Sequence, residues 1–432
     1  MPQTRDLFFD EFCDELERVV SGISAAEERE EAPPLLMEAA RERWRPYVSD
    51  PGNRGETLVS VDGGVQFSTF AYGDFVAVGR ACALVHGPGG EHAIEKRVRV
   101  HVDEVYDDRD RGFIPGYVRM IAEYEAARAG AERALRGGGR PLVLLDGSLY
   151  LSRFPYAIRE YQHHSDLLAD LFSSIAALHS LSWERGFPVA AVAKDSAVFY
   201  LYMELLKGEA ARRGLWHLTS SIEAASSPMD LRTKMASWQR EDRAALEPLL
   251  EARPLCDTAL IHVSTAVEGF SHPLLLAPSI YYGRGDTPDL YRRIRRTIEP
   301  EKAERAVSAL KAFFASPGVA VTYWKPARNA RPFRVDVSAA ALGYVEPWEG
   351  RNRNAFVEED RDLSSLKLAL DHLGHWFCND LEYNIPLRHA DTLARFDRAL
   401  YESKYRPFIV RRLEHAGLDV EGGRRYLREA SL

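Results

Sequence analysis

Apolar residues recur every three to four positions along residues 5–21, through Phe8, Phe12, Leu16 and Val19 or Val20, which predicts an amphipathic helix. A second, charged helix is expected over residues 24–46, ahead of the turn-rich SDPGNRGE. The pattern then changes to short apolar runs. ETLVSVDGG, VQFSTFAYG, FVAVGRACALV and KRVRVHVDEV read as strands separated by Gly-rich or polar turns, an antiparallel meander. A long helix over about 115–136 is closed by Gly137–Gly139, and PLVLLDGS reads as a buried strand ending in an aspartate. A helix over about 160–181 and the apolar strand of FPVAAVAKDS follow, and residues 198–255 are mainly helical. Strands are expected again at TALIHVS, LLLAPSIYY, GVAVTYWK and PFRVDVSAAALGYV, with a helix at about 296–315 and terminal helices over about 362–378 and 387–416.

A strand meander, a helix, a strand ending in Asp, a helix and a strand ending in Lys-Asp is the element order of a ribonuclease-H-like fold. The expected architecture is therefore α/β, a mixed central sheet flanked by helices, with a helical insertion over about 198–255 and helices at both ends. With neither an internal repeat nor a long low-complexity linker, residues 51–432 read as one domain preceded by a helical region, 1–50.

The 432 residues are 46% hydrophobic and 28% charged, the balance of a globular protein able to bury a core. No apolar run reaches the roughly 18–20 residues of a membrane helix, and MPQTRDLFFDEF lacks a basic region and a cleavage site. A cytoplasmic protein without a membrane partner is expected. Cys13, Cys82, Cys256 and Cys378 are too scattered for a disulfide framework or zinc knuckle and read as buried thiols. His372 and His375 share a helix face but lack a third ligand of clear spacing. A net charge of −8 argues against an overall basic nucleic-acid coat, while leaving room for a local basic channel beside an acidic metal site.

Chemistry gathers at the aspartates. Asp62 in LVSVDGG and Asp146 in LVLLDGS each close a strongly apolar run and precede glycine. Apolar strands hold such carboxylates rigidly, and glycine lets the backbone turn away and leaves room for a metal ion and a phosphate. The helix between them carries Glu123 and Glu125; two residues apart, they cannot share a face, so one of them is expected to point at the sheet.

LVSVDGG, the helix with AEYEAA, LVLLDGS, VAAVAKDS and the late EYNIPLRHADTLARF together resemble the NurA nuclease family over about residues 55–400. The resemblance implies a ribonuclease-H-like, Mn2+- or Mg2+-dependent DNA nuclease that forms a ring-shaped homodimer and works with the hexameric translocating ATPase HerA in resecting DNA ends. It implies Asp62, Glu123 and Asp146 as acidic metal ligands, a phosphate-binding role for Lys194, and a catalytic contribution from Tyr383. The late motif departs from the family at one point. Tyr383, Pro386, Leu387 and Ala390 fit, but Asp391 stands where members have histidine, and His389 lies two residues earlier. Aspartate is a good hard-cation ligand, so Asp391 makes a fourth candidate.

Carboxylates at this density repel one another unless cations neutralise them, and two divalent ions about 3.5–4 Å apart serve that purpose. The family resemblance further implies single-strand endonucleolytic and 5′–3′ exonucleolytic cleavage, in end resection or anti-phage defence. Residues 291–305 and TYWKPARNARPFR, with Tyr323, Trp324, Lys325, Arg328 and Arg331, are candidate DNA paths. The N-terminal amphipathic helix is expected to be buried in its own subunit, with dimer contact or ATPase docking as alternatives. Two rival readings stand beside the nuclease: a weakly active or inactive ring subunit beside a DNA translocase, and another ribonuclease-H-like nuclease.

Overall fold

A computed structural model describes residues 9–24, 33–50, 52, 56–70, 74–104, 109–151, 153–250, 254–278 and 287–417. Helices α1 (Phe9–Ser24) and α2 (Pro34–Glu42) and strand β1 (Trp44–Pro46) precede the meander of β2 (Thr57–Thr69), β3 (Asp74–His86) and β4 (His92–Glu104). Helix α3 (Asp110–Arg136), β5 (Pro141–Asp146), α4 (Ile158–Arg185) and β6 (Val189–Ala193) follow. The helical insertion comprises α5 (Tyr200–Arg212), α6 (Thr219–Glu223), α7 (Pro228–Met235), α8 (Arg240–Leu250) and α9 (Asp257–Ser264). Then come β7 (Gly269–Ser271), β8 (Leu274–Leu275), α10 (Thr287–Thr297), α11 (Pro300–Ala315), β9 (Val319–Lys325), β10 (Phe333–Ser338) and β11 (Ala355–Phe356). The last described elements are α12 (Ser364–His375), α13 (Ile385–Ala394), α14 (Arg398–Leu400), a π-turn (Tyr401–Tyr405) and α15 (Arg406–His415).

One mixed sheet runs β1-β7-β9-β10-β6-β5-β2-β3-β4, with β8 and β11 paired beside β9. β2, β3 and β4 are antiparallel, and β5 and β6 lie parallel to β2. The run β4-β3-β2-β5-β6 is the ribonuclease-H-like order that the element sequence predicts. Val59, Val61, Val143 and Leu145 face α3, α4 and α11, whereas Leu58, Leu142, Leu144 and Val192 face α12 and α13. Alternation along each strand thus covers both faces with helices and buries two cores.

Several expectations fail, each for a local reason. β2 does not turn at Gly63–Gly64; it runs on as one strand to Thr69, and both glycines sit in register with β3. TALIHVS lies in helix α9, because so short an apolar run carries no decisive period and the buried Asp257 that starts the helix accepts the N–H groups of Leu201 and Tyr202. The helix expected over 24–46 is α2 alone, entered through Pro33–Pro34, and residues 44–46 pair with β7; residues 25–32 lie outside the described residues. Of LLLAPSIYY only Leu274–Leu275 is a strand, and 279–286 are outside the description. Pro300 divides the 296–315 segment into α10 and α11, and the 387–416 segment breaks after Ala394. The apolar stripe of α1 is not buried: Phe9 is 58% and Phe12 57% exposed, and Leu16, Val19 and Val20 are also exposed. Of the four cysteines, all free, Cys82 alone is buried and Cys378 is exposed.

Candidate functional site: a carboxylate cluster on the central sheet

Asp62 lies within β2, directly opposite Cys82 of β3. Cys82 packs against Ala390 and Ala394 of α13, so Asp62 shares the α13 face of the sheet. Its carboxylate Oδ1 accepts the N–H of Gly63 at 2.6 Å. Asp146 ends β5, the parallel neighbour of β2, one step beyond the pair Val61 and Leu145, and occupies the same face beside Val192. The backbone turns away just after it, at Gly147, whose φ of +126° a side chain would oppose.

Glu123 comes from the other side of the sheet. It sits on α3, 6% exposed, and reaches the aspartates past Gly63. A Cβ on Gly63 would lie 2.7 Å from Glu123 Cγ and 2.7 Å from its Oε1. Gly64, on the α13 face, does the equivalent for α13: a Cβ there would lie 2.9 Å from the carbonyl oxygen of Ala394. The Asp-Gly-Gly signal is therefore a close-approach motif rather than a turn. The first glycine admits Glu123, and the second admits the end of the helix that carries Asp391. Glu125 faces elsewhere, taking an Arg99 hydrogen bond on β4 (Nε–Oε2 2.9 Å).

Helix α13 is positioned by its own sequence. Asn384 caps it, accepting the N–H of Leu387 at 3.0 Å, and Pro386 fits its first turn. Arg80 of β3 donates to the Ala394 carbonyl at 2.8 Å and covers the Phe396 ring, which holds the helix end on the sheet. Just before the cap, Tyr383 is buried and stacks on Phe333. Lys194, at the end of β6, bridges to Asp146 Oδ2 at 2.7 Å and lies 4.6 Å over the Tyr383 ring. Asp391 is exposed on α13, within electrostatic range of Asp62 and Tyr383. His389 instead acts on His86. All six sequence-derived candidates thus meet in one region.

Burial first, then Asp146, Glu123 and Asp391, push the Asp62 carboxyl up to about 7 against the lowering hydrogen bond from Gly63. Glu123 is raised by burial and by Asp146, with Arg119 (Nε–Oε1 3.4 Å) opposing. Its Oε1 is buried without a hydrogen-bond partner. Burial and the Asp146 and Asp62 carboxylates hold the Tyr383 phenol well above its usual value, so it stays protonated. An oxygen-only donor set with raised acids, and a buried oxygen held only by an ion pair, suits a hard divalent cation. The carboxylate oxygens do not close to within 4.8 Å of one another in any group of three.

Sequence reasoning missed the buried pair Arg334–Asp336 on β10. Arg334 Nε and Nη2 each donate to Asp336 at 2.8 Å, and Asp336 Oδ2 also accepts from Ser148 Oγ (2.7 Å) and the N–H of Leu149 (3.0 Å). This pair fastens the loop that follows Asp146. Its only sequence signal is Arg and Asp two apart, on one face of an otherwise apolar strand. The TYWKPARNARPFR stretch fares differently from expectation. Tyr323, Trp324 and Lys325 are buried in β9, so the two rings cannot stack on bases; of the five candidates, Arg328 and Arg331 are exposed. In the 291–305 stretch, Arg295 pairs with Glu304 and Arg305 with Asp170, which makes a solvated charged face. His372 is buried with Nε2 3.9 Å from Glu56 and joins no three-ligand group among the described residues. No described helix is long and apolar enough to cross a membrane.

No curated protein matches the chain. Among solved structures it is similar to the crystal structure of NurA bound to dAMP and manganese, at 12% identity and a TM-score of 0.39, covering 92% of this chain and 96% of that one. A second crystal structure of NurA aligns at 13% identity and TM-score 0.39, with 93% and 96% covered. Endonuclease V of Ciona intestinalis, in complex with a 24mer DNA containing an inosine followed by a ribo-adenosine, aligns at 11% identity and TM-score 0.25, with 88% and 96% covered. The NurA domain model matches residues 56–396, from just before β2 to just after α13, and the protein belongs to the NurA family.

Proposed function

We propose that this protein is a metal-dependent deoxyribonuclease, with Asp62, Glu123, Asp146 and Asp391 as its metal-binding carboxylates. The carrying observation is the convergence of carboxylates from β2, α3, β5 and α13 around Asp62, with Glu123 threaded past a glycine to reach it. Family membership supports the same chemistry, and manganese is the ion named for the NurA crystal structure. These carboxylates would hold Mn2+ or Mg2+, as two ions, which would supply Lewis acidity for attack of water on a phosphodiester. Lys194 acts as a positive point charge beside Asp146, suited to a non-bridging phosphate oxygen, while holding that carboxylate in place. Tyr383, kept protonated, offers its hydroxyl as a donor near the reacting phosphate. Glu123 and Asp62 hold or release protons according to whether a cation is present, because burial disfavours their charged forms.

The partners are part of the same proposal: DNA as substrate, a second copy of the chain in a ring, and a HerA-type hexameric ATPase, in end resection or defence against foreign DNA. The exposed apolar stripe of α1 supports a docking or dimer role for the N-terminal region over burial in its own subunit. Labelled linear single- and double-stranded DNA, incubated with purified protein and Mn2+, is expected to be degraded, and chelation to stop it. Asp146→Asn and Glu123→Gln should each cost at least about 10²-fold. Undiminished cleavage by both variants overturns the assignment. Stable association with DNA and the ATPase without cleavage favours the structural-subunit reading, for which the exposed Asp391 in place of histidine is the motivating observation.

A further inference from the structure

A second cluster of metal-ligating side chains lies well along the sheet from the carboxylates. His101 and Asp103 occupy alternate positions of β4, so the strand repeat sets both on the face that turns towards α3 and α4. His164 arrives from α4. The helix abandons helical backbone at this one residue (φ −125°, ψ 30°), and the ring is directed at β4. His164 Nδ1 lies 3.1 Å from Asp103 Oδ2, and His101 Nε2 lies 3.6 Å from the same oxygen. One ligand atom from each of the three residues falls within 4.8 Å of the others, and no other described group of three does so. His101 Nε2 is itself buried without a hydrogen-bond partner.

We propose that His101, Asp103 and His164 bind a borderline divalent cation of the Zn2+ class, separate from the nuclease metals. Two imidazoles and one carboxylate suit zinc or cobalt, with water completing the coordination, whereas the oxygen-only cluster around Asp62 suits manganese and magnesium. The far nitrogen of His164, Nε2, lies 3.3 Å from Asp110 Oδ2, and Asp110 is 4% exposed at the start of α3. A carboxylate behind a ligating imidazole orients the ring and raises its basicity, the usual support of a histidine metal ligand. The bound cation would tie β4, α3 and α4 together at the edge of the sheet. Asp103 and the two histidines would exchange their mutual contacts for bonds to the cation, and binding would release any proton held on the ligating nitrogens.

The test uses the full chain, stripped of metal and then titrated with Zn2+ by calorimetry in excess Mg2+, and with Co2+ while its visible absorption is followed. The wild type should bind one zinc equivalent and give a Co2+ spectrum with nitrogen ligation. Asp62→Asn/Asp146→Asn should keep both signals, His101→Phe should lose them, and Asp110→Asn should weaken zinc binding about 10–100-fold. Circular dichroism checks folding, and His101→Gln replaces His101→Phe if the latter unfolds. The proposal is overturned if the wild type takes up no zinc in Mg2+, if the folded His101 variant binds like the wild type, or if the signals disappear with the Asp62/Asp146 pair.

Discussion

Gly63→Ala puts the proposed site under the smallest available perturbation. The backbone of Gly63 is ordinary strand, so alanine is conformationally acceptable, and removing a strand glycine would by itself stabilise by about 0.5–1 kcal/mol. Space decides otherwise. The new methyl would stand 2.7 Å from Glu123 Cγ and Oε1 and 3.1 Å from the Arg80 carbonyl oxygen. Comfortable carbon contacts are about 3.5–4.0 Å, so the Glu123 side chain must withdraw by roughly 1 Å. Overpacking of this kind costs about 1–3 kcal/mol of stability. The larger effect falls on function, because a misplacement of about 1 Å in a reacting constellation costs about 10²-fold, or roughly 2.7 kcal/mol of barrier. Initial rates of Mn2+-dependent cleavage should fall by that factor at saturating Mn2+, with urea denaturation run in parallel to show that the fold survives. A Gly63→Ala protein with wild-type rate, wild-type Mn2+ dependence and higher stability would refute the threading of Glu123 past Gly63.

Asp62 sets a pH dependence. Its folded value of about 7 is above the ordinary 3.8, so its contribution to stability is fully present below about 3.8 and lost as pH rises through about 7. The gap is worth at most about 4 kcal/mol; metal-free wild type should lose stability to urea between pH 4 and 8 while Asp62→Asn loses less, and equal slopes in the two proteins would count against the assignment. For the same reason Mn2+ affinity measured by calorimetry should drop steeply as pH falls below about 7. Asp391→Ala should slow cleavage, and Asp391→His, which restores the residue of the resembled motif, should keep more activity than alanine; alanine equal to wild type would remove Asp391 from the site. Asp336→Ala leaves Arg334 buried without its partner and should destabilise by about 3–5 kcal/mol in denaturant titration, a loss below about 1 kcal/mol showing that the loop after Asp146 does not depend on the pair.

Much of this protein is written in local patterns. The alternation in β2, β3 and β4, the apolar runs of β5 and β6 and the intervening α3 and α4 are enough to specify a meander followed by parallel strands, because period and run length are properties of the chain itself. The acidic candidates are legible for the same reason: Asp-Gly after an apolar run, and Tyr-Asn-Ile-Pro-Leu as a helix entry with its cap, are short-range signals. What needed tertiary structure was everything that depends on proximity between distant segments. Asp-Gly-Gly reads as a turn in isolation, and only the packing of α3 and α13 on opposite faces of β2 shows that each glycine makes room for a neighbour. Glu123 and Glu125 are equivalent in sequence; Arg99 on β4 claims one, and the gap at Gly63 admits the other. Tyr323 and Trp324 look like a stacking platform until β9 is placed inside the sheet, where desolvation takes them. The union of His101 and Asp103 with His164 had no sequence signal at all, since it depends on α4 breaking its helical path where it crosses the edge of β4.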